Sequence, residues 1–288
     1  MKTRLKNAKS WLFVPANRPD FLAKSINYGA HVVIVDMEDA VPSDSKAQVR
    51  ATLDKQLSTI KQAGQQLVLR TNTEIEQLVA DLNAIDINNI DGLLLPKLHS
   101  ADYLQIVGDF LSRLELHQGK ALGSTALIAL LESPLAVMQS AKIAKASERL
   151  ACLAIGSEDL ALSLGVVPTI ESLQGALQQV VLAAKNAHVG MLAVAGSLAQ
   201  FRDLTSYQQQ VSIAANLGCT GALCIHPSQV AIVNQNYAPT AAQITWAQAV
   251  LAEVAAHPQA AVWQVDGAMV DAPVLARAQA LMLATKGE

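Results

Sequence analysis

Two carboxylates one β/α repeat apart, Glu132 in LLESP and Asp159 in GSEDL, combine residue type and setting in the way metal chemistry requires. Each follows an apolar run of the kind that forms a buried strand, and adjacent strand ends can share a ligand. Two carboxylates completed by waters and substrate oxygens suit Mg²⁺, a hard ion that keeps part of its hydration shell, with Mn²⁺ as a substitute. The same residues also fit a plainer arrangement, in which Asp159 caps a helix and Glu132 pairs with a nearby Lys.

Arg70, in VLRTN, offers a permanently charged planar fork suited to a carboxylate or to negative charge developing on an enolate oxygen. Glu38 and Asp39, in DMEDAV, close the second apolar run. In a regular strand adjacent residues face opposite ways, so both reach the same centre only if the strand has already ended. One or both then bind metal waters and orient Arg70, or else they cap the following helix. Lys97, in LLPKL, is an ordinary cation, since a Schiff-base amine needs a depressed pKa that surrounding carboxylates oppose. His226, in CIHPSQV, reads as a structural group near the same centre, and no other His has a zinc-site spacing.

The elements that must position these groups are eight short apolar runs, at 10–15, 31–38, 66–72, 92–97, 125–132, 150–156, 190–196 and 221–227. Longer amphipathic stretches separate them, at 19–28, 43–63, 73–86, 101–117 and 134–147 among others. Eight alternations predict an α/β fold, a (β/α)8 TIM barrel, over 1–238. Nearly every run ends in a polar or conformationally special residue, and a barrel gathers those ends on its C-terminal mouth, where active sites of this fold lie. Residues 239–288 form a C-terminal helical extension, with a turn at Asp266-Gly267, long enough to reach a neighbouring subunit's mouth.

Composition sets limits on partners. The 288 residues are 51% hydrophobic and 16% charged, with a net charge of -3, so the chain can bury a large core and has no global attraction for nucleic acid or anionic membrane. An anionic ligand needs a local basic cluster. Cys152, Cys219 and Cys224 lack metal or disulfide spacing and read as reduced core thiols, which with the absence of any apolar run near membrane length places the protein in the cytoplasm. No Ser elbow, Walker loop or GxGxxG stands where hydrolase, kinase or dinucleotide chemistry requires it.

Taken in order, SWLFVPANRPDFLAKS, VVIVDMEDAVPSDSK, VLRTN, LPK, LLESP, GSEDLALSLG, GCTGALCIHPSQV and VDGAMVDAPV resemble the citrate lyase beta subunit-like family of acyl-CoA lyases, which includes malyl-CoA and citramalyl-CoA lyases. The resemblance spans essentially the whole chain. It implies that Glu132 and Asp159 ligate Mg²⁺ and that Arg70 contacts a substrate carbonyl or carboxylate. It also implies that Arg18 and Lys24 hold phosphates of coenzyme A, and that Asp271 is an acid/base delivered to a neighbouring subunit's site, Asp266 being a turn residue. A homotrimer is implied as well. Ala16 departs from the family's frequent Gly in the LFVPG turn, close to where the pantetheine would lie.

The implied reaction is cleavage of a 3-hydroxyacyl-CoA to a keto acid and an acyl-CoA through a thioester enolate, or its reverse. Three other outcomes fit the same residues: a citryl-carrier-protein lyase subunit of a citrate lyase complex, an acyl-CoA thioesterase of the same family, and a metal-dependent pyruvate aldolase acting without a thioester.

Overall fold

The computed structural model describes residues 2–199 and 201–285. Eight strands form one parallel sheet: β1 (Ser10–Pro15), β2 (Val32–Asp36), β3 (Gln66–Arg70), β4 (Gly92–Leu95), β5 (Ala126–Leu131), β6 (Leu150–Ile155), β7 (Gly190–Leu192) and β8 (Ala222–Cys224). Their order, 7-6-5-4-3-2-1-8, follows the chain around a circle. A parallel bridge between Leu192 and Gly221 joins the two ends, so the sheet is a nearly closed barrel.

Helices cover the outside, as buried parallel strands require. They are α1 (Lys2–Asn7), α2 (Pro19–Ser25), α3 (Lys46–Gln62), α4 (Ile75–Asn83), α5 (Ala101–His117), α6 (Pro134–Ile143), α7 (Ser157–Leu164), α8 (Ile170–Asn186), α9 (Leu204–Leu217) and α10 (Pro227–Tyr237). Several ends are written in the sequence: Ser100, Ser133 and Thr169 each accept a backbone amide as N-caps of α5, α6 and α8. The first 237 residues form one compact unit and 238–288 a second.

All eight apolar runs become strands, although most are shorter than the runs. In β2 the ladder stops at Asp36, so Glu38 and Asp39 do not close the strand as the sequence suggests; they lie in the turn beyond it. The basic N-terminal stretch contains a helix that the sequence reading passed over. Leu5 of α1 and the following Ala8 are buried among the residues that fill the barrel from within, including Trp11, Ile34, Val68, Leu94, Ile128 and Leu223. The glycines that open β7 and precede β8 leave room for this segment. A Cβ at Gly190 would stand 2.9 Å from the Lys6 carbonyl oxygen, and one at Gly221 2.5 Å from that of Lys9.

The N-terminal end of the barrel carries paired charges. Arg149 forms a two-pronged contact with fully buried Glu115 (2.9 and 2.6 Å), which also accepts the Gly123 and Thr125 amides at 2.7 Å. Burial works to raise the Glu115 carboxyl, but Arg149 and those amides overcome it and hold it at about 2. Lys61 similarly grips Asp91 at 2.5 and 2.6 Å.

The second unit comprises α11 (Ala241–Ala256), two short antiparallel strands β9 (Trp263–Val265) and β10 (Ala268–Val270), and α12 (Ala272–Thr285). Asp266 (φ 50°) and Gly267 (φ 78°) make the tight turn between the strands, the backbone that an Asp-Gly pair favours. Among the described residues no helix is long and apolar enough to cross a membrane.

Glu115→Ala would leave Arg149 buried without its partner. Urea unfolding followed by circular dichroism should record a loss of about 3 to 5 kcal/mol.

Candidate active site

Strand parity builds the mouth. Phe13 with Pro15, Asp36 and Arg70 end the inward-facing series of β1, β2 and β3, and Glu132 and Gly156 continue those of β5 and β6. Asp36 and Arg70 are register partners on adjacent strands, so their side chains leave the barrel side by side. Together with Leu130, Asp159, Leu198, Leu223 and Ile225 they line a cavity of about 370 Å³. A larger hollow, about 560 Å³, lies within the second unit. Its titratable groups, Glu253 and His257, pair with each other at 3.0 Å, leaving no converging set of reactive side chains there.

Arg70 is the centre of the charged layer. Its Nε and Nη2 donate to the two oxygens of Asp36 at 2.7 and 2.5 Å, while Nη1 lies 2.9 Å from Glu38 and 3.5 Å from Asp39. Burial opposes its charge, but Asp36 and the other two carboxylates more than offset this and raise its pKa. The guanidinium also stands 5.0 Å from the centroid of the Phe13 ring. Asp36 thus holds two of the three Arg70 nitrogens, and Glu38 and Asp39, the acids expected to orient it, stand at the third. Asp36 lies inside the apolar run, ahead of its closing acids, and the alternation Val32, Ile34, Asp36 is the sequence signal for it.

Glu38 is buried and accepts from Lys97 Nζ (2.8 Å) and Thr73 Oγ1 (3.1 Å). Burial raises its carboxyl, with Lys97 and Arg70 pulling the other way. Lys97 is held protonated by Glu38, so its amine has none of the depressed basicity that imine chemistry needs. Its backbone sits at φ 51°, in the left-handed region, and its amide donates to Glu132 Oε2 at 2.6 Å. This one strained residue thus touches both carboxylate groups, Glu38 by its side chain and Glu132 by its main chain.

Glu132 is fixed between the last residue of β5 and the Ser133 cap of α6. Its Oε1 lies against Gly156, where a Cβ would be only 2.4 Å away, so Gly156 is there to admit the carboxylate. Burial, with Asp159 and Glu38 adding repulsion, pushes its pKa up to about 8. Asp159 stands in the first turn of α7, half-buried on the same cavity. A desolvated carboxylate facing another one, in a cradle open enough to seat an ion, fits a divalent cation. Among the described residues no three His, Cys, Asp or Glu are arranged to hold a metal ion between them, so such an ion would take Glu132 and Asp159 as ligands and fill its shell with water and substrate oxygens, as a hard cation does.

The other sequence candidates are scattered. Arg18 pairs with Asp20 (3.3 Å) over the Phe21 ring, and Lys24 is exposed in the last turn of α2, about 9 Å further along the helix. Neither lines the cavity. Ala16 is buried and takes no positive φ, so the departure from Gly strains nothing. His226 is exposed, stacked on Phe201 and bonded to Ser228. Asp271, in the second unit, accepts the Val274 amide (3.2 Å) at the start of α12. Glu158, unnoticed in the sequence, accepts from Ser197 Oγ (2.6 Å) and from the Leu198 and Ala199 amides, pinning the loop after β7 at the cavity's edge.

Glu132 generates a pH prediction. Without metal, the folded state retains a proton there that the unfolded chain releases near 4.5, so stability is fully present below that pH and is lost as pH rises through about 8. Thermal unfolding in chelator should show Tm falling across this window, and Glu132→Gln should remove most of the fall. Divalent-cation affinity should rise over the same window as the ion displaces the proton.

Comparison with known proteins identifies the family. Residues 9–227 match the model of the HpcH/HpaI aldolase/citrate lyase family. The chain is 30% identical over 279 residues to citrate lyase subunit beta of Leuconostoc mesenteroides subsp. cremoris, covering 95% of this chain and 92% of that one. It is 31% identical over 269 residues to a (3S)-malyl-CoA thioesterase of Cereibacter sphaeroides ATCC 17029, covering 91% and 89%. Among solved structures, CitE of Mycobacterium tuberculosis in complex with magnesium, acetoacetate and coenzyme A superimposes with a TM-score of 0.76 at 27% identity, over 98% of this chain and 99% of that one. On the family match, the shared barrel and the full-length likeness, this chain belongs to the HpcH/HpaI aldolase/citrate lyase family.

Proposed function

We infer that this protein is a Mg²⁺-dependent carbon-carbon lyase that cleaves, or forms, a 3-hydroxyacyl-CoA thioester bearing a carboxylate on C3. The observation that carries the reading is the desolvated Glu132 facing Asp159 beside a fully braced Arg70. The names of the relatives, a citrate lyase subunit, a CoA thioesterase and a protein crystallised with magnesium and coenzyme A, support it.

Glu132 and Asp159 would hold Mg²⁺, or Mn²⁺ in its place, which when bound supplies Lewis-acid polarisation of substrate oxygens. In the cleavage direction the C3 hydroxyl loses its proton, the C2–C3 bond breaks and the C3 oxygen becomes the carbonyl of a 2-oxo acid. The bond's electron pair passes to the thioester, giving an enolate that is protonated at C2. Arg70 contributes fixed positive charge where oxyanions develop, and because Asp36 already holds its fork, little reorganisation is needed during reaction. Glu38 and Lys97 keep the opposite side of Arg70 and the Glu132 carboxylate in place, and Asp39 is positioned to bind ordered water. Asp271 of a neighbouring subunit would be the C2 acid/base, and Arg18 with Lys24 would meet the phosphates of coenzyme A. On this reading the chain forms a homotrimer in the cytoplasm, with the extension 239–288 completing an adjacent mouth.

The thioesterase relative motivates a second outcome, in which water then releases free CoA from the acyl product. The citrate lyase relative motivates a third, with the acyl group on a carrier protein.

Purified protein with Mg²⁺ should convert at least one of malyl-, citramalyl- and citryl-CoA to a 2-oxo acid and acetyl-CoA, followed by mass spectrometry. Chelator or Glu132→Ala should abolish the reaction. Arg70→Lys, which cannot reproduce the two-pronged contact with Asp36, should lower kcat by roughly 10² to 10³. Free CoA as the terminal product would mark the thioesterase, and a panel left untouched would sink the free-CoA reading.

A further inference from the structure

The three thioesters in that panel differ at one place, the remaining C3 substituent: hydrogen, methyl or carboxymethyl. The mouth's charges and walls bear directly on this choice. Among the described residues lining the cavity, Arg70 is the one cation, and all three of its donor nitrogens already face Asp36, Glu38 or Asp39. Lys97, the next nearest, is engaged by Glu38. Against them the lining carries four carboxylates: Asp36, Glu132, Glu158 and Asp159. The N-terminus of α7 is the remaining positive feature, and it bears Glu158 and Asp159 in its own first turn.

The rest of the lining is apolar. Leu130 and Leu223 are buried at its floor, and Phe13, Leu198 and Ile225 stand higher. A divalent cation would neutralise Glu132 and Asp159 while engaging the substrate's own C3 oxygens. A further carboxylate on the substrate would then face aliphatic side chains, or an edge that carries Glu158, with no free cation among the described residues of this chain that line the cavity. Desolvating such a group without a partner is strongly unfavourable, and placing it beside like charge adds to the cost. A methyl group meets the opposite situation, since the same aliphatic surface gains by covering it.

Building on the lyase reading above, we propose that this site selects substrates whose C3 substituent is uncharged and apolar, a methyl group or one slightly larger. The 2-oxo acid released or consumed is then a monocarboxylate such as pyruvate, not a dicarboxylate such as oxaloacetate. Leu198, Leu223 and Ile225 are the specificity-determining residues.

Two measurements on the full-length protein with Mg²⁺ test this. In steady-state kinetics, kcat/KM for citramalyl-CoA should exceed that for citryl-CoA by on the order of a hundredfold, the equivalent of the cost of an unpaired or repelled charge. It should exceed that for malyl-CoA by about tenfold, the worth of one methyl in an apolar pocket. In calorimetry, pyruvate should bind more tightly than oxaloacetate, a readout that needs no bond cleavage. Equal or faster turnover of citryl-CoA would overturn the proposal and leave the lyase reading standing. If no thioester is cleaved, the lyase reading fails and the calorimetric order alone decides the selectivity. Ile225→Arg, at a 40% exposed position that tolerates a longer side chain, should narrow the citramalyl-to-citryl ratio at least about tenfold by supplying the missing cation. A variant that keeps the native ratio would remove Ile225 from the wall that decides it.

Discussion

The mouth of this barrel gathers more negative charge than its own cations can neutralise, and most of its local structure is a response to that imbalance. Asp36, Glu38, Asp39, Glu132 and Asp159 approach one another, with Arg70 and Lys97 between them. Arg70 pairs with Asp36 and Glu38, and Lys97 with Glu38. Among the described residues Glu132 receives only the Lys97 amide, and burial with little compensation keeps its pKa up at about 8. The deficit is localised at Glu132 and Asp159, and it is what makes those two residues the seat for an ion while the rest are scaffolding.

Two backbone features hold the imbalance in place. Gly156 allows Glu132 to approach β6 closer than any side-chain-bearing residue would permit. Lys97 adopts a left-handed backbone that a non-glycine residue normally avoids, and thereby points its amide at Glu132 and its ammonium at Glu38. Strain of this kind persists only when the surroundings determine it, and here both ends of Lys97 are tied. The N-terminal face has the opposite character: Glu115 with Arg149 and Asp91 with Lys61 are closed pairs with their hydrogen bonds filled. Such closed pairs leave nothing free to act on a ligand, as expected of the face of a barrel that serves stability.

Much of this was legible in the sequence because strands buried on both faces are written as unbroken apolar runs, and eight of them in alternation with helices leave few topologies open. Glu132, Asp159 and Arg70 could be picked out because each is a polar residue at the end of such a run. Asp36 escaped because the run continues through Met37 to Glu38 and Asp39 in hydropathy, while the hydrogen-bonded ladder stops at Asp36. Composition does not reveal where a ladder ends; parity does, and Val32, Ile34 and Asp36 share the face that Arg70 occupies on the next strand. The α1 helix was missed for a different reason. Its one fully buried residue, Leu5, packs against the barrel's interior and not against a neighbour in sequence, so no local periodicity announces it.

Glu158 illustrates the limit of reading single motifs. In GSEDLALSLG the acid beside Asp159 looks like another helix-start carboxylate, and it is one, but its Oε1 also accepts three donors from residues 197–199, 39 to 41 positions later. That contact sets where Leu198 stands, and Leu198 is part of the apolar wall facing the charged layer. One short stretch of chain therefore serves both halves of the site: Gly156 and Asp159 shape the charged half, and Glu158 anchors the loop that forms the apolar half. The fold makes this economical, because α7 starts right after β6 and consecutive residues of its first turn diverge by about 100° around the helix, facing different parts of the same opening. Chemistry common to a family and selectivity particular to one member can then be adjusted within a few residues of each other, without moving the strands that hold them.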